Sequence, residues 1–414
     1  MPTLLQINTC INKSTGRIAQ QIGEKAITCG WQSYIAYSAR EQQCESCSVL
    51  LPVGSKRDAH VHALFSRLFD CQGLLSKKST KQLIENIKKI RPDVIHLHNI
   101  HGYYLNYPLL FQFLKEYEKP VVWTLHDCWA FTGHCVHYTD VGCFLWKTGC
   151  HNCPKKKSYP SSFLFDRSKR NYNEKKEAYA NMQNLILVPV SYWLGDVTRQ
   201  SILGKYSAHV IQNGIDINVF FPRTYATGEV RRKYRLQGKY IIIGVATGWS
   251  EEVGLSSFFE LRKKLPKEKF TIVMVGCTSN IMRQLPDGIV GVPRTNSVDE
   301  LAELYSTADI LFNGSYQETF GLVTAEALAC GTPVIVYNST ACSEIVTPKT
   351  GYIAEPKNID QVLNFIWEDS AKSEKCRRLM SARCREYAVE HFDKEEKYKS
   401  YMELYSEIIN KCKL

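Results

Sequence analysis

A glycine followed by an apolar stretch predicts the start of a helix between two glutamates, Glu318 and Glu326. Gly321 has no Cβ, so a ligand can approach its backbone closely, and residues 322 to 329 have the pattern of a helix. Amide N–H groups at a helix start bind phosphate, because they lack intrahelical partners and lie at the positive end of the helix dipole. The two carboxylates could then accept hydrogen bonds from hydroxyl groups of the same ligand. An ordinary amphipathic helix with two solvated glutamates fits the spacing equally well.

A histidine and an aspartate follow a second apolar run, where a buried strand is predicted to end. His126 and Asp127 come directly after residues 121 to 125. Doubly wound sheets bind ligands beyond the carboxyl ends of their strands, so both side chains are candidates for ligand contact. The alternative is a core histidine satisfied by the backbone. Gly16, in the loop after the first predicted strand, is a further position where the backbone could approach a phosphate.

Short β-branched apolar runs alternate with longer helical patterns, which is typical of parallel βαβ units. Ser79 with Gln82, and Ser297 with Glu300, predict helix starts. The 414 residues suffice for two domains of about 200 residues, with a boundary near residues 221–222. The predicted strands are 4–8, 34–37, 94–98, 121–125, 185–190, 210–212, 240–245, 271–275, 310–313 and 334–337.

Positive charge is concentrated in the first half of the chain. Residues 1–222 hold 26 Lys and Arg against 16 Asp and Glu, whereas residues 223–414 hold 26 against 25. A basic first domain could attract an anionic ligand or membrane face, and segment 155–165 mixes lysines with aromatics as an interfacial loop does. A solvated basic surface is the alternative. The sequence contains no helix-turn-helix, RNA-binding aromatic motif or basic zipper, so no nucleic acid partner is predicted.

Sixteen cysteines without an evident export signal favour reduced thiols and a cytoplasmic location. No apolar run approaches the roughly 20 residues that a membrane span needs. Four cysteines, Cys135, Cys143, Cys150 and Cys153, are close in sequence, and the last two form a C-x2-C pair of the kind that holds tetrahedral zinc. Structural zinc, metal-free thiols and an inducible disulfide all stay open.

The run from Glu318 to Glu326 resembles the E-x7-E signature of family 4 retaining glycosyltransferases. The resemblance covers nearly all of the chain and is greatest to bacterial enzymes of colanic acid or capsule type. It implies an α/β fold of GT-B architecture, in which two doubly wound Rossmann-like domains face each other across a cleft. Further matching motifs lie at residues 14–19, 126–127, 191–194, 213–216 and 305–309.

The resemblance also implies how the chain is divided. Residues 1–222 would form an acceptor-side domain with a Cys-rich insertion at about 128–165. Residues 223–390 would bind the nucleotide sugar, and a helix in residues 391–414 would return to the first domain. The implied acceptor is a saccharide or lipid-linked saccharide of bacterial exopolysaccharide, capsule or O-antigen synthesis, reached at the inner face of the cytoplasmic membrane.

The implied reaction is a sugar transfer with retention of configuration and without a catalytic metal or other cofactor. Glu318 and His126 are the implied catalytic residues: Glu318 would contact the transferred sugar, and His126 would contact that sugar or its phosphate. Glu326 would bind the ribose of the nucleotide-sugar donor. The implied donor-binding residues are Gly16, Arg17, Asp127, Thr247, Gly248, Arg294, Thr319, Phe320, Gly321, Leu322 and Glu326.

One loop departs from the family pattern. Family members carry an Arg and a Lys-Gly step after the first strand of the second domain, and both cations neutralise the leaving diphosphate. Val253 stands where the Lys is expected, and Glu252 precedes it. Losing such a cation costs on the order of several kcal/mol unless another replaces it, and Arg294 or Arg17 could do so. The alternative functions are a non-catalytic nucleotide-sugar-binding scaffold subunit and a GT-B nucleotide-sugar epimerase.

Overall fold

The computed structural model describes residues 1–411, which divide into two compact units. Unit 1 comprises residues 1–211 and the chain from Lys397 onward, and unit 2 comprises residues 212–396. The boundary predicted near residues 221–222 lies later in the chain than this division. Each unit holds one parallel sheet connected through helices, which confirms the predicted pair of doubly wound domains.

Unit 1 contains seven strands: β1 (Thr3–Asn8), β2 (Gln32–Ser38), β3 (Val49–Val53), β4 (Val94–Leu97), β5 (Val121–Leu125), β6 (Leu185–Pro189) and β7 (Ser207–Ala208). They pair in parallel in the order β3-β2-β1-β4-β5-β6-β7. Every residue of β1, β4 and β5 is buried, as expected for parallel strands covered on both faces. The direction of winding reverses between β1 and β4, where doubly wound sheets bind ligands.

Six helices lie in the first 211 residues. A long irregular segment separates β5 from the fifth of them, with only two short 3-10 turns at Thr139–Val141 and Leu145–Lys147. This segment contains the predicted Cys-rich insertion. The helices are α1 (Thr15–Thr28), α2 (Lys56–Phe69), α3 (Lys77–Ile90), α4 (Tyr107–Lys115), α5 (Ser168–Ala178) and α6 (Tyr192–Arg199).

Unit 2 contains six strands: β8 (Tyr240–Val245), β9 (Phe270–Val275), β10 (Ile289–Val292), β11 (Ile310–Asn313), β12 (Val334–Tyr337) and β13 (Gly351–Ala354). Their order is β10-β9-β8-β11-β12-β13, all parallel, so the winding reverses between β8 and β11. Its helices are α7 (Thr227–Lys233), α8 (Leu255–Lys264), α9 (Ser279–Met282), α10 (Val298–Thr307), α11 (Leu322–Ala329), α12 (Ile359–Ser370) and α13 (Glu374–Phe392).

The last helix, α14 (Lys394–Lys411), belongs to unit 1 from Lys397 onward. Tyr398, Tyr401 and Tyr405 are buried there in an apolar cluster that also contains Leu4 and Val94. The helix is therefore part of the first unit's core, as the resemblance implied. Across residues 1–411, none of the helices combines the length and apolar character needed to cross a membrane.

The sequence predictions fail at the edges of the two sheets. Strands β3, β10 and β13 were not predicted, and β7 lies at residues 207–208 rather than 210–212. All four are edge strands, which are less completely buried and tolerate Pro52 in β3 and Gly291 in β10. Each of the four contains a proline, glycine or serine, which weakens the strand pattern in its sequence.

One of the two predicted helix starts is correct. The Ser297 hydroxyl accepts from the Glu300 N–H at 3.1 Å and caps α10. The other prediction was wrong, because α3 already begins at Lys77 and Ser79 lies inside it. Ser79 is buried there and its hydroxyl is directed to Asp58, at 3.5 Å.

Candidate active site

Gly16 lies in the first turn of α1, close to the carboxyl end of β1. A Cβ at this position would come within 2.6 Å of the backbone of Ile11, and the Gly16 N–H donates to the Lys13 carbonyl at 2.7 Å. Close packing of the loop on itself therefore explains this glycine without a ligand. Arg17, on the same turn, is exposed. The contact of either residue with a donor phosphate stays a prediction.

His126 follows β5 and lies beside His98, which follows β4. His98 Nδ1 and His126 Nε2 are 3.1 Å apart, and the two rings stack with centroids 5.4 Å apart. Burial lowers the pKa of His126 to about 4, although Asp127 acts in the opposite direction. His126 is therefore neutral at pH 7, and a neutral imidazole donates one hydrogen bond and accepts another. Such a group suits a polar sugar better than it neutralises a phosphate.

Asp127 is held in place by its surrounding loop. Its Oδ2 lies 2.8 Å from His101 Nε2, and its Oδ1 accepts from the Trp129 N–H at 2.9 Å. His101 Nδ1 lies 3.2 Å from the hydroxyl of Tyr159. Burial acts to raise the pKa of Asp127, but His101 and the Trp129 N–H outweigh it and hold that pKa below its usual value. Asp127 is thus an ionised anchor for the loop that follows His126.

A buried lysine on α5 anchors the same loop from the other side. Lys175 Nζ donates to the carbonyls of Trp129 and Thr132 at 2.5 and 2.9 Å, and it lies 3.4 Å from the Trp129 ring centroid. Lys175 is only 1% exposed, and burial lowers its pKa to about 7. The sequence did not indicate this role, because α5 is rich in charged residues that are mostly exposed.

In unit 2, Glu318 lies in the segment that follows β11, at the reversal of the strand order. The Glu318 N–H donates to Thr340 Oγ1 at 2.9 Å. Burial raises the pKa of its carboxyl group to about 7, although hydrogen bonds with Ser315 and Asn313 act to lower it. The side chain of Glu318 therefore changes its protonation state near neutral pH, a common property of functional carboxylates.

Helix α11 begins at Leu322, as predicted, with Gly321 as its N-cap at a φ of 100°. Only glycine adopts this left-handed conformation without strain. A glycine cap has no side chain to bind the first amide N–H groups, so the helix start keeps its capacity to bind an anion. Glu326 lies farther along the helix, where its Oε2 accepts from the Tyr305 hydroxyl at 3.1 Å. Glu318 and Glu326 thus flank the helix start in sequence, as predicted.

The residues around Gly321 differ in accessibility. Phe320 is 2% exposed and packs edge-on against Phe392, with centroids 5.7 Å apart. Its ring belongs to the core of unit 2, which leaves the backbone as the part of Phe320 that could meet a donor. Thr319 and Leu322 are half-buried.

In the loop after β8, Val253 stands where a lysine was expected, and its packing accounts for the apolar side chain. Val253 packs against the apolar core of unit 2, so its side chain contributes to packing. Thr247 and Gly248 are exposed directly beyond β8. Arg294 is exposed beyond β10, and β9 alone separates that strand from β8 in the sheet. Because the strands are parallel, Arg294 and Thr247 lie at the same carboxyl edge of the sheet.

All four cysteines predicted as zinc ligands line one cavity in the irregular segment of unit 1. Interaction with the Cys135 thiol and burial raise the pKa of the Cys153 thiol, and Cys150 Sγ accepts from the Gly133 N–H at 3.2 Å. Cys143 completes the set. Within residues 1–411, no three His, Cys, Asp or Glu side chains are arranged as metal ligands. The structure brings the four thiols to one place, and structural zinc stays a prediction.

Two family models match the chain in separate halves. Residues 29–219 match "Glycosyltransferase Family 4", and residues 227–386 match "Glycosyl transferases group 1". A protein named as a colanic acid biosynthesis glycosyl transferase, WcaC of Escherichia coli strain K12, is 27% identical over 286 residues, which cover 66% of this chain and 67% of that protein. The alpha-monoglucosyldiacylglycerol synthase of Acholeplasma laidlawii is 23% identical and covers 69% of each chain.

Solved structures show the same fold over the full length. A sucrose-phosphate synthase from Thermosynechococcus elongatus has a TM-score of 0.72 at 16% identity, covering 99% of this chain and 100% of that one. Anabaena HepE in complex with UDP-glucose has a TM-score of 0.66 at 13% identity, covering 98% of this chain and 99% of that one. With two parallel sheets, a glycine-capped helix start between two glutamates and matches in both halves, the chain belongs to the family 4 glycosyltransferases of GT-B fold.

Proposed function

We propose that this protein transfers a sugar from a nucleotide-sugar donor to a saccharide or lipid-linked saccharide, with retention of configuration and without a catalytic metal. The observation that carries the proposal is the start of α11, where a glycine N-cap lies between Glu318 and Glu326 at the reversal of the unit 2 sheet. The colanic acid relative supports an exopolysaccharide product, and the HepE complex supports a nucleotide-sugar donor.

In the proposed donor complex, the diphosphate binds the amide N–H groups of Gly321 and Leu322. Helix-start amides and the helix dipole then stabilise the charge that develops on the leaving group, which is why no metal is required. Glu326 binds the ribose, and Glu318 accepts hydrogen bonds from hydroxyls of the transferred sugar. The departing phosphate oxygen takes the proton of the acceptor hydroxyl on the same face, so no enzymic base is needed. His126 contacts the transferred sugar.

We further propose that Arg294 supplies a positive charge for the leaving diphosphate. Val253 cannot, since it is an apolar residue that packs against the unit 2 core. Arg294 is exposed at the carboxyl edge of the sheet that also carries the loop after β8. A guanidinium at this edge matches the geometry of phosphate oxygens and stays charged at all physiological pH values.

An exposed apolar face on unit 1 supports the proposed membrane contact. It consists of two adjoining segments, the outer face of α2 and residues 163–165. Phe69 stacks with Phe165 at 5.6 Å between centroids, and the Phe163 N–H donates to the Arg67 carbonyl at 2.6 Å. We call this face the aromatic surface; its exposed members are Val61, Leu64, Phe65, Phe69, Phe163, Leu164 and Phe165.

Exposed cations lie on or next to the segments that form the aromatic surface. Lys56, Arg57 and Arg67 are exposed on α2, and Lys157 is exposed in the segment before Phe163. Lys155 does not contribute, because it is buried and pairs with Asp140 at 2.6 Å. Apolar groups that enter a bilayer interface, bordered by cations that attract anionic headgroups, are typical of peripheral membrane proteins. We propose that this surface docks on the inner face of the cytoplasmic membrane, where a lipid-linked acceptor would lie.

We propose structural zinc for the cavity formed by Cys135, Cys143, Cys150 and Cys153. The support is that these thiols, up to 18 positions apart, all line one cavity. Zinc would have to draw them together, because within residues 1–411 no three such side chains are arranged as metal ligands. Four cysteine thiolates are a common structural zinc set, and such an ion would fix the irregular segment without taking part in transfer.

Saturation-transfer NMR with a panel of nucleotide sugars tests the proposed function. We expect binding of one sugar nucleotide that Glu326→Ala abolishes and that Glu386→Ala, a change at an exposed position of α13, preserves. With the donor identified, the anomeric coupling constant in the product reports retention. A scaffold subunit would bind the donor without turnover, and an epimerase would convert the donor without an acceptor. No binding to any panel member would refute the proposal.

A further inference from the structure

A continuous hydrogen-bonded chain runs from α1 to His126 through two side chains that the proposed chemistry does not use. Gln6 Nε2 donates to the Ala19 carbonyl at 2.7 Å. Gln6 Oε1 lies 3.0 Å from His98 Nε2, and His98 Nδ1 lies 3.1 Å from His126 Nε2. Gln6 and His98 are at most 1% exposed, so water does not compete for these contacts.

The Ala19 carbonyl fixes the direction of every bond in this chain. A carbonyl oxygen only accepts, so the amide nitrogen of Gln6 must face it and the amide oxygen must face His98. An amide oxygen also only accepts, so the proton of His98 must be on Nε2. Exchanging the two ends of the Gln6 amide would place two acceptors together at the Ala19 carbonyl.

Both histidines are neutral, so each carries a single N–H. Burial lowers the pKa of His98 well below its usual value. His96, whose ring centroid lies 4.0 Å from that of His98, lowers this pKa further. His96 is occupied by other partners, since its Nδ1 lies 2.6 Å from the Tyr405 hydroxyl and its Nε2 lies 2.7 Å from Thr124 Oγ1. With its proton on Nε2, His98 presents a lone pair at Nδ1 to His126.

We propose that Gln6 and His98 are positioning residues that hold His126 as the tautomer protonated at Nε2, with Nδ1 as a hydrogen-bond acceptor. Whatever meets His126 Nδ1 must then donate. A sugar hydroxyl can donate, whereas an ionised phosphate oxygen cannot. This inference rests on the proposed function for its ligand, and it assigns His126 to a hydroxyl of the transferred sugar rather than to the diphosphate.

The tautomer can be measured without activity. In uniformly labelled wild-type protein at pH 7, nitrogen-15 NMR distinguishes a protonated ring nitrogen from an unprotonated one, and His126→Gln assigns the signal among the 11 histidines. We expect a protonated Nε2 and an unprotonated Nδ1 at His126. A proton on Nδ1, or a charged ring, would overturn the proposal.

Gln6→Met tests the origin of the tautomer, because it removes the oriented amide at similar volume. We expect a mixture of His126 tautomers and a roughly three- to tenfold loss of kcat/KM, the size of one hydrogen bond. Gln20→Met is the matched control, since Gln20 also donates to a carbonyl, that of Ile11 at 2.8 Å, without contacting His98. An unchanged His126 tautomer in Gln6→Met would refute the relay. A correct tautomer in a protein that binds no nucleotide sugar would refute the proposed function and leave the relay standing.

Discussion

The carboxyl group of Glu318 is predicted to make stability and donor binding depend on pH in opposite directions. Its pKa of about 7 in the folded chain, against an ordinary value of 4.5, means that the folded chain holds this proton more tightly than the unfolded chain does. The free energy of unfolding therefore falls as pH rises through this range. The full cost of the ionised form is about 3 kcal/mol, which partial exposure of Glu318 reduces.

Glu318→Gln removes this cost because the amide does not ionise. Between pH 5 and pH 8 we expect the free energy of unfolding of the variant to gain roughly 2 kcal/mol relative to wild type. Urea unfolding followed by circular dichroism at each pH measures the difference. Glu386→Gln, at an exposed position of the same unit, is the control. Its free energy of unfolding should vary with pH in the same way as that of wild type. Parallel curves for Glu318→Gln would show that the pKa of Glu318 is ordinary.

Donor binding should respond with the opposite sign. The ionised carboxylate accepts hydrogen bonds from sugar hydroxyls, whereas the protonated group loses part of this capacity. We therefore expect donor affinity to rise with pH through about 7 and then level off. Titration calorimetry of donor binding to wild type and to Glu318→Gln, between pH 5.5 and 8.5, measures this dependence. A wild-type affinity that is constant over this range would contradict the proposed role.

Three further predictions concern Arg294, the aromatic surface and the cysteine cavity. Arg294→Met should weaken donor binding by about tenfold in calorimetry, since it removes a charge-assisted contact, whereas Arg283→Met, also exposed in unit 2, should not. Phe163→Ser should lower cosedimentation with vesicles of anionic lipid about tenfold, because an apolar anchor is lost, whereas the exposed Tyr225→Ser should not. Elemental analysis should find about one zinc per chain, lost in Cys150→Ser.

Each of these has a contrary outcome. Equal donor affinities for both arginine variants would show that the diphosphate is neutralised elsewhere. Binding to neutral and anionic vesicles alike, unaffected by the Phe163 change, would remove the membrane role of the aromatic surface. Wild-type protein without zinc, purified in the absence of chelators, would identify the cavity as a ring of reduced thiols.

The helix at the centre of the site could be predicted from sequence because its signals are local. Gly321 and Gly331 mark the ends of α11, and the observed bounds match the predicted ones. The fold class was likewise predictable, since the central strands are continuous apolar runs. The edge strands β3, β10 and β13 were missed because each contains a proline or glycine that weakens the strand pattern.

The supporting contacts of the site were not predictable in the same way. Gln6 and His98 are 92 positions apart, and their contact arises only when β1 and β4 pair. No local signal marks Lys175 as buried. Other lysines on α5 are exposed, and nothing in the sequence distinguishes Lys175 from them. Residue type and spacing thus suffice to predict candidate groups for the chemistry, whereas the groups that hold them in place arise from tertiary packing.

The contacts of Lys175 have a consequence for the order of folding. The carbonyls of Trp129 and Thr132 are bonded by a side chain from α5, more than 40 positions later in the chain. The loop beside His126 therefore cannot complete its hydrogen bonds until α5 has docked on the unit 1 sheet, and closing so long a connection is slow compared with forming local helices. The sheet and the site need not form together: during synthesis, the strand that precedes His126 emerges well before the helix that fixes the surroundings of this histidine.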